Sequence, residues 1–153
     1  MHVETRSYIR MRWKRFGFYC LLVYAMVLVY LTLFTHNYYT YGRSVNLQLF
    51  NSIELMMDSG NGWLVLKNVI GNVLLFLPFG FLLPFLFRKC RNFFIMFGVA
   101  AGSSFLIEIT QYKYAKRIFD IDDIFLNVIG ALLGWFLTLV VRDILKRVTA
   151  LWR

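Results

Sequence analysis

Residues 93–141 read FFIMFGVAAGSSFLIEITQY, KYAKRIFDIDD, IFLNVIGALLGWFLTLVV, two apolar runs separated by a polar hinge. Each run is close to the roughly 20 residues of helix that cross a hydrocarbon core of about 30 Å. Working outward, two more such runs occur, at 69–87 and at 16–35, and of the four only 93–112 holds a charged residue, Glu108. The reading is an all-α membrane protein, a single domain over 1–153, with a bundle of four transmembrane helices at 16–35, 69–87, 93–112 and 124–141. Composition agrees. At 59% hydrophobic, 19% aromatic and only 16% charged, the chain is unlike a soluble domain, where about 25% charged is usual.

The run at 16–35 follows Arg6, Arg10, Arg12, Lys14 and Arg15, as a signal peptide would. Its length exceeds a signal-peptide core, and its polar exit at His36 lacks a small-residue cleavage site, so an uncleaved first helix is expected. Both prolines, Pro78 and Pro84, fall in the second run. A membrane helix tolerates them where neighbours satisfy the freed carbonyls, and a kink is expected there.

The net charge of +9 would suggest nucleic acid in a soluble protein. In a membrane protein it reports orientation, because cytoplasmic flanks collect Lys and Arg. Most of these residues lie in the N-terminal arm, at Arg88, Lys89 and Arg91, and at Arg142, Lys146, Arg147 and Arg153. Arg43, Lys67, Lys113, Lys116 and Arg117 fall on the other side, balanced by Glu54, Asp58, Asp120, Asp122 and Asp123. Both termini are therefore expected in the cytoplasm, with no nucleic-acid partner. Cys20 and Cys90 suggest neither a disulfide framework nor a metal clip.

That orientation places the polar residues by depth. Glu108 stands about 22 Å from the cytoplasmic start of its helix, in the outer third of the bilayer. Gln111 follows, and Asn72 and Asn127 each lie about one turn inside the outer start of their helices. Ser104, Glu108 and Gln111 share one helical face by their i, i+4, i+7 spacing. Asp120, Asp123, Asn127, Gly130 and Gly134 share another if the last helix begins near Asp120. Gly130 and Gly134 have the small-xxx-small spacing that lets membrane helices approach closely. Together these residues predict an outward-facing polar pocket bordered by the aromatic loop residues Tyr38, Tyr39, Tyr41, Phe50 and Trp63.

Plainer roles stand beside this one. Membrane asparagines commonly link helices, and Asp120, Asp122 and Asp123 also read as a solvated cap neutralised by Lys113, Lys116 and Arg117. A carboxylate at the depth of Glu108 is costly and points to function, with Arg117 or Lys113 the expected cationic partner.

The stretches Asn72 to Pro84 (NVLLFLPFGFLLP), Glu108 to Gln111 (EITQ), Arg117 to Asp123 (RIFDIDD) and Asn127 to Gly130 (NVIG), with Gly134 and the loop Arg43 to Phe50 (RSVNLQLF), resemble the VanZ family. The resemblance is strongest over 43–137. Leu49 stands where many relatives carry proline. The resemblance implies a small multi-spanning protein of the bacterial cytoplasmic membrane, connected with resistance to the lipoglycopeptide teicoplanin, and supplies no reaction. Carried over by position, it marks Asn72, Pro78, Gly80, Glu108, Gln111, Arg117, Asp120, Asp123, Asn127, Gly130 and Gly134.

Two functions fit these residues. In the first, the pocket binds or shields a lipid-linked envelope precursor or a lipoglycopeptide through Asn72, Glu108, Gln111, Arg117, Asp120, Asp123 and Asn127. In this reading Pro78, Gly80, Gly130 and Gly134 are structural. In the second, Glu108 and Asp123 act as acid and base on a lipid-linked glycan or peptide, which requires their environments to separate their proton affinities. No G-x-S-x-G, H-E-x-x-H or P-loop motif supports nucleophilic serine, zinc or nucleotide chemistry. Adjacent cations argue against a metal at the carboxylates, and no cofactor is expected. Membrane lipids are the expected surroundings, and a homo-oligomer is compatible with the pattern.

Overall fold

A computed structural model describes residues 2–34, 44–115 and 117–151. The aromatic loop residues Tyr38, Tyr39 and Tyr41, the exit His36, and Arg43, Lys116 and Arg153 lie outside the described residues, as do the side chains of Arg6 and Arg10. The elements in chain order are α1 (His2–Leu33), β1 (Val45–Asn46), α2 (Asn51–Asp58), α3 (Gly62–Leu86), a 3₁₀ turn (Arg88–Arg91), α4 (Phe93–Tyr114), β2 (Phe119–Asp120) and α5 (Ile121–Leu151). Four of the helices, α1, α3, α4 and α5, are long and apolar enough to cross a membrane.

The bounds depart from the uncharged runs in an instructive way. α3 begins at Gly62, seven residues before the uncharged run, so Lys67 belongs to the helix and not to a loop. Asn61 caps it, its side chain accepting from Leu64 N at 3.2 Å. α5 continues past Val141 to Leu151. A charged residue ends an apolar run without ending a helix, since Lys and Arg are good helix formers that reach back to water from a helix end. α4 is capped by Asn92, whose Oδ1 accepts from Phe94 N and Ile95 N, a standard way of meeting first-turn amides.

α3 and α5 form the tightest pair. A Cβ on Gly80 would strike the Ala131 carbonyl, one on Gly130 the Val73 carbonyl, and one on Gly134 the Leu77 carbonyl and the Phe81 amide. Only glycine permits backbones this close, which is how membrane helices associate where lipid supplies no hydrophobic drive. Phe76, Met96, Ala100 and Ala131 are fully buried at the centre. α1 is peripheral, with Phe18, Tyr19, Val23, Met26 and Tyr30 exposed, the surface a membrane helix offers to lipid.

α3 remains helical through both prolines. Proline removes one N–H and crowds the preceding turn, weakening the bonds of nearby carbonyls. Here two hydroxyls from neighbouring helices compensate, each at the carbonyl three residues before a proline. Tyr24 of α1 donates to Leu75 O at 2.8 Å, and Thr138 of α5 donates to Phe81 O at 2.8 Å. Thr138→Val keeps the shape and removes the donor. It is expected to lower stability by about 1 kcal/mol, read as an earlier thermal transition in detergent. An unchanged transition would mean that Phe81 O finds another donor.

Candidate functional site

At the end of the bundle opposite the Arg88–Arg91 turn, α4 presents Ser104, Glu108 and Gln111, all buried. Each meets a different element. Ser104 Oγ accepts from Asn127 Nδ2 of α5 at 2.9 Å, Gln111 Nε2 donates to Thr32 O at the end of α1 at 2.8 Å, and Glu108 Oε2 accepts from the Asp120 backbone N–H at 3.1 Å. The stripe thus ties α1, α4, α5 and the α4–α5 connection together. With Glu108 only 2% and Asn127 only 3% exposed, this part is an interior network and not the lining of an open pocket.

The connection itself is extended. β2 pairs in parallel with β1, in the register Val45 with Phe119 and Asn46 with Asp120. Asp120 therefore precedes α5 and does not belong to its helical face, correcting the stripe expected from spacing. Its carboxylate accepts from Asn46 Nδ2 at 3.0 Å and from the Ser52 hydroxyl. Asp122 accepts from the backbone of Phe50 and of Ser52, the latter at 3.0 Å, and so caps α2 from about seventy residues away. Phe50 adopts φ +67°, an uncommon conformation outside glycine, and its ring packs edge-on against Phe125 of α5. These two aspartates clamp the α1–α3 loop onto the bundle.

Asp123 faces the other way. It accepts from Asn72 Nδ2 of α3 at 2.6 Å, and Asn72 also bonds Asn68 at 3.0 Å. Arg117 lies 3.8 Å from Asp123, with its side chain 29% exposed. Depth and spacing in the sequence assign Arg117 or Lys113 to Glu108. Among the described residues the only ion pair at this end is instead Arg117 with Asp123. The separation is longer than a hydrogen bond, so the guanidinium is attracted by Asp123 without spending its donors on it.

Asn127 Oδ1 is buried without a hydrogen-bond partner among the described residues. No three of His, Cys, Asp and Glu among them gather as a metal set. Phe50 and Trp63 are exposed, so both are available at a membrane interface. Asn46, Ser52, Asn68 and Thr32 join the network without being singled out by the sequence. Asn46 stands in the loop that carries the family resemblance, whereas Ser52 and Thr32 carry no local signal at all.

The arrangement has two layers: a closed inner network centred on Glu108, and an edge of Asn72, Arg117 and Asp123 that reaches the surface chiefly through Arg117. The edge carries both signs, and among the described residues the Arg117 guanidinium has no hydrogen-bond partner, suiting it to a polar headgroup with an anionic group. A family model described as VanZ/LLP1 matches residues 18–142. Protein VanZ of Enterococcus faecium is 32% identical over 120 residues, covering 74% of this chain and 68% of that protein. No solved structure gives a significant match.

Proposed function

The chain belongs to the VanZ/LLP1 family, and from that membership we propose that it is a multi-pass protein of the bacterial cytoplasmic membrane that binds or shields a lipid-linked ligand at its extracytoplasmic end. The ligand class is a lipid-linked envelope precursor or a lipoglycopeptide, and the outcome is glycopeptide resistance of the teicoplanin type or envelope maintenance. The observation that supports the reading best is Arg117, half-buried beside Asp123 but outside hydrogen-bond range of it. Arginine presents a planar fork of donors suited to carboxylate and phosphate oxygens. Asp123 holds this fork nearby by charge, and the Asp120 and Asp122 clamps hold the loop.

The orientation follows from the basic flanks. Single cysteines at Ser44 and Lys116, in a background lacking Cys20 and Cys90, are expected to label with an impermeant thiol reagent on intact cells. A cysteine at Asn92 is expected to remain unlabelled. The reverse pattern would place the site in the cytoplasm.

Binding is tested with purified protein and a lipid-linked envelope precursor, followed by mass spectrometry. The wild type is expected to retain the precursor stoichiometrically and unaltered, and Arg117→Gln to retain about tenfold less, the scale of one charge-assisted contact. Equal retention by the variant would put the headgroup elsewhere. A changed precursor mass would replace binding by catalysis, with Glu108 and Asp123 as the acid and base.

A further inference from the structure

The opposite end of the bundle holds a second constellation, unrelated to the polar network. Between α1, the last turn of α3, the 3₁₀ turn and α5 lies a cleft of about 350 Å³, within the range of small-molecule sites. Lys14, Arg88, Arg91 and Arg142 line it, with no carboxylate among the described lining residues. A bias toward positive flanks accounts for basic residues at this end but not for this arrangement. That bias asks only for basic residues in the flanks, whereas here three elements bring four cations, Lys14 and Arg88 exposed and Arg91 and Arg142 half-buried, to one concavity.

Like charges gathered this way repel. Desolvation, with Arg142 and Arg88 close by, holds Arg91 below the ordinary guanidinium value. Arg91 is nonetheless held in place. Its Nε donates to Pro84 O at 3.1 Å, and its own carbonyl accepts from Trp135 Nε1 at 3.2 Å. Among the described residues its terminal nitrogens have no protein partner. A fixed guanidinium with free donors, beside cations with no carboxylate among the described lining residues, is a preorganised anion site.

The rest of the lining says what carries the anion. Trp13 and Phe85 are exposed, and Leu86 completes an apolar wall next to the lipid-facing surface of α1. Trp13 stands near the start of the apolar span of α1, Met11–Leu33, and tryptophan at that level of a membrane helix favours the headgroup layer. A soluble phosphate ester has no use for this wall, whereas a lipid phosphate brings acyl chains to it. Basic pockets between helices at the cytoplasmic surface are suited to such headgroups.

We propose that this cleft binds the phosphate of an anionic membrane lipid, with Arg88, Arg91, Arg142 and Lys14 on its oxygens and its chains against Trp13 and Phe85. The bound lipid adds a tie between α1, which packs on Phe85 and Leu86 at Gly17, and the α3–α5 pair. It offsets the repulsion among the arginines, so the fold is more stable with it than without.

The test is thermal unfolding of the full chain in detergent, titrated with phosphatidylglycerol, phosphatidylcholine or glycerol phosphate. Phosphatidylglycerol is expected to raise the transition while the other two leave it unmoved. The double variant Arg88→Gln with Arg142→Gln is expected to weaken that response about thirtyfold. Neither residue bonds the bundle among the described residues, so the variant is expected to fold. Arg147→Gln, which removes the partner of Asp143 outside the cleft, is expected to respond as the wild type does. Equal responses to both lipids, or an undiminished response in the double variant, would overturn the site. An equal response to glycerol phosphate would overturn the lipid as its ligand.

Discussion

Gly134→Ala is expected to remove most of the folded protein recovered from membranes. One added methyl group would meet the Leu77 carbonyl and the Phe81 amide of α3, which are backbone and have no rotamer to change. Relief requires α3 and α5 to separate, which loosens the contacts of Gly80 with Ala131 and of Gly130 with Val73 on the same seam and lengthens the Thr138 bond to Phe81 O. Overpacking in a well-filled interior costs about 1–3 kcal/mol, and here the loss of neighbouring contacts adds to it. The controls lie within the same chain. A methyl group added at Gly71, Gly98 or Gly102 would meet nothing within 4 Å, so alanine there is expected to be neutral or to stabilise by up to about 1 kcal/mol through helix propensity. Folded yield and thermal transition, measured by size exclusion after heating, read the difference directly. If Gly134→Ala behaves like Gly102→Ala, the α3–α5 seam is not as close as described.

Glu108→Gln and Asp123→Asn are expected to abolish the glycopeptide-resistance or envelope phenotype while leaving the amount of protein in the membrane unchanged. Each swap conserves volume, and each preserves the bond seen at its site. The Asp120 N–H can still donate to the amide oxygen of a glutamine at 108, and Asn72 Nδ2 can still donate at position 123. What changes is, at position 123, the charge beside Arg117 and, at either position in the catalytic alternative, a site for a proton. Resistance assayed beside immunoblots of the membrane fraction separates the outcomes. Protein loss preceding loss of phenotype would make Glu108 a structural tie between α4 and β2 and nothing more.

Some of this architecture is legible in the sequence because it is periodic and local. The four apolar runs find the four long helices. The i, i+4, i+7 spacing of Ser104, Glu108 and Gln111 places three polar groups on one buried face. Gly130 and Gly134 lie where backbone meets backbone. What escapes is set by contacts distant in the chain. Nothing near Asn51–Asp58 announces a helix whose first-turn amides are met by Asp122, and nothing near Asp120 shows that it runs extended beside Asn46. Starting α5 at Asp120 follows helix spacing one residue too far, and the pairing of β1 with β2 decides against it. From sequence Arg117 or Lys113 is expected beside Glu108, yet Arg117 lies beside Asp123, because the choice depends on how the chain turns after α4.

The two hydroxyls that serve α3 belong to opposite ends of the order in which the chain is made. Tyr24 has left the ribosome before Leu75 does, so the carbonyl near Pro78 finds its donor as soon as α3 enters the bilayer. Thr138 is made fifty-seven residues after Phe81, a delay of several seconds at about 5–20 residues per second. During that interval the half of α3 around Pro84 stands in lipid without the Thr138 hydroxyl and with an uncovered glycine groove. Its shelter must come from the insertion machinery or from the lipid itself. A chain that stops short of α5 keeps this exposed face permanently and presents it to the proteases that clear unfinished membrane proteins.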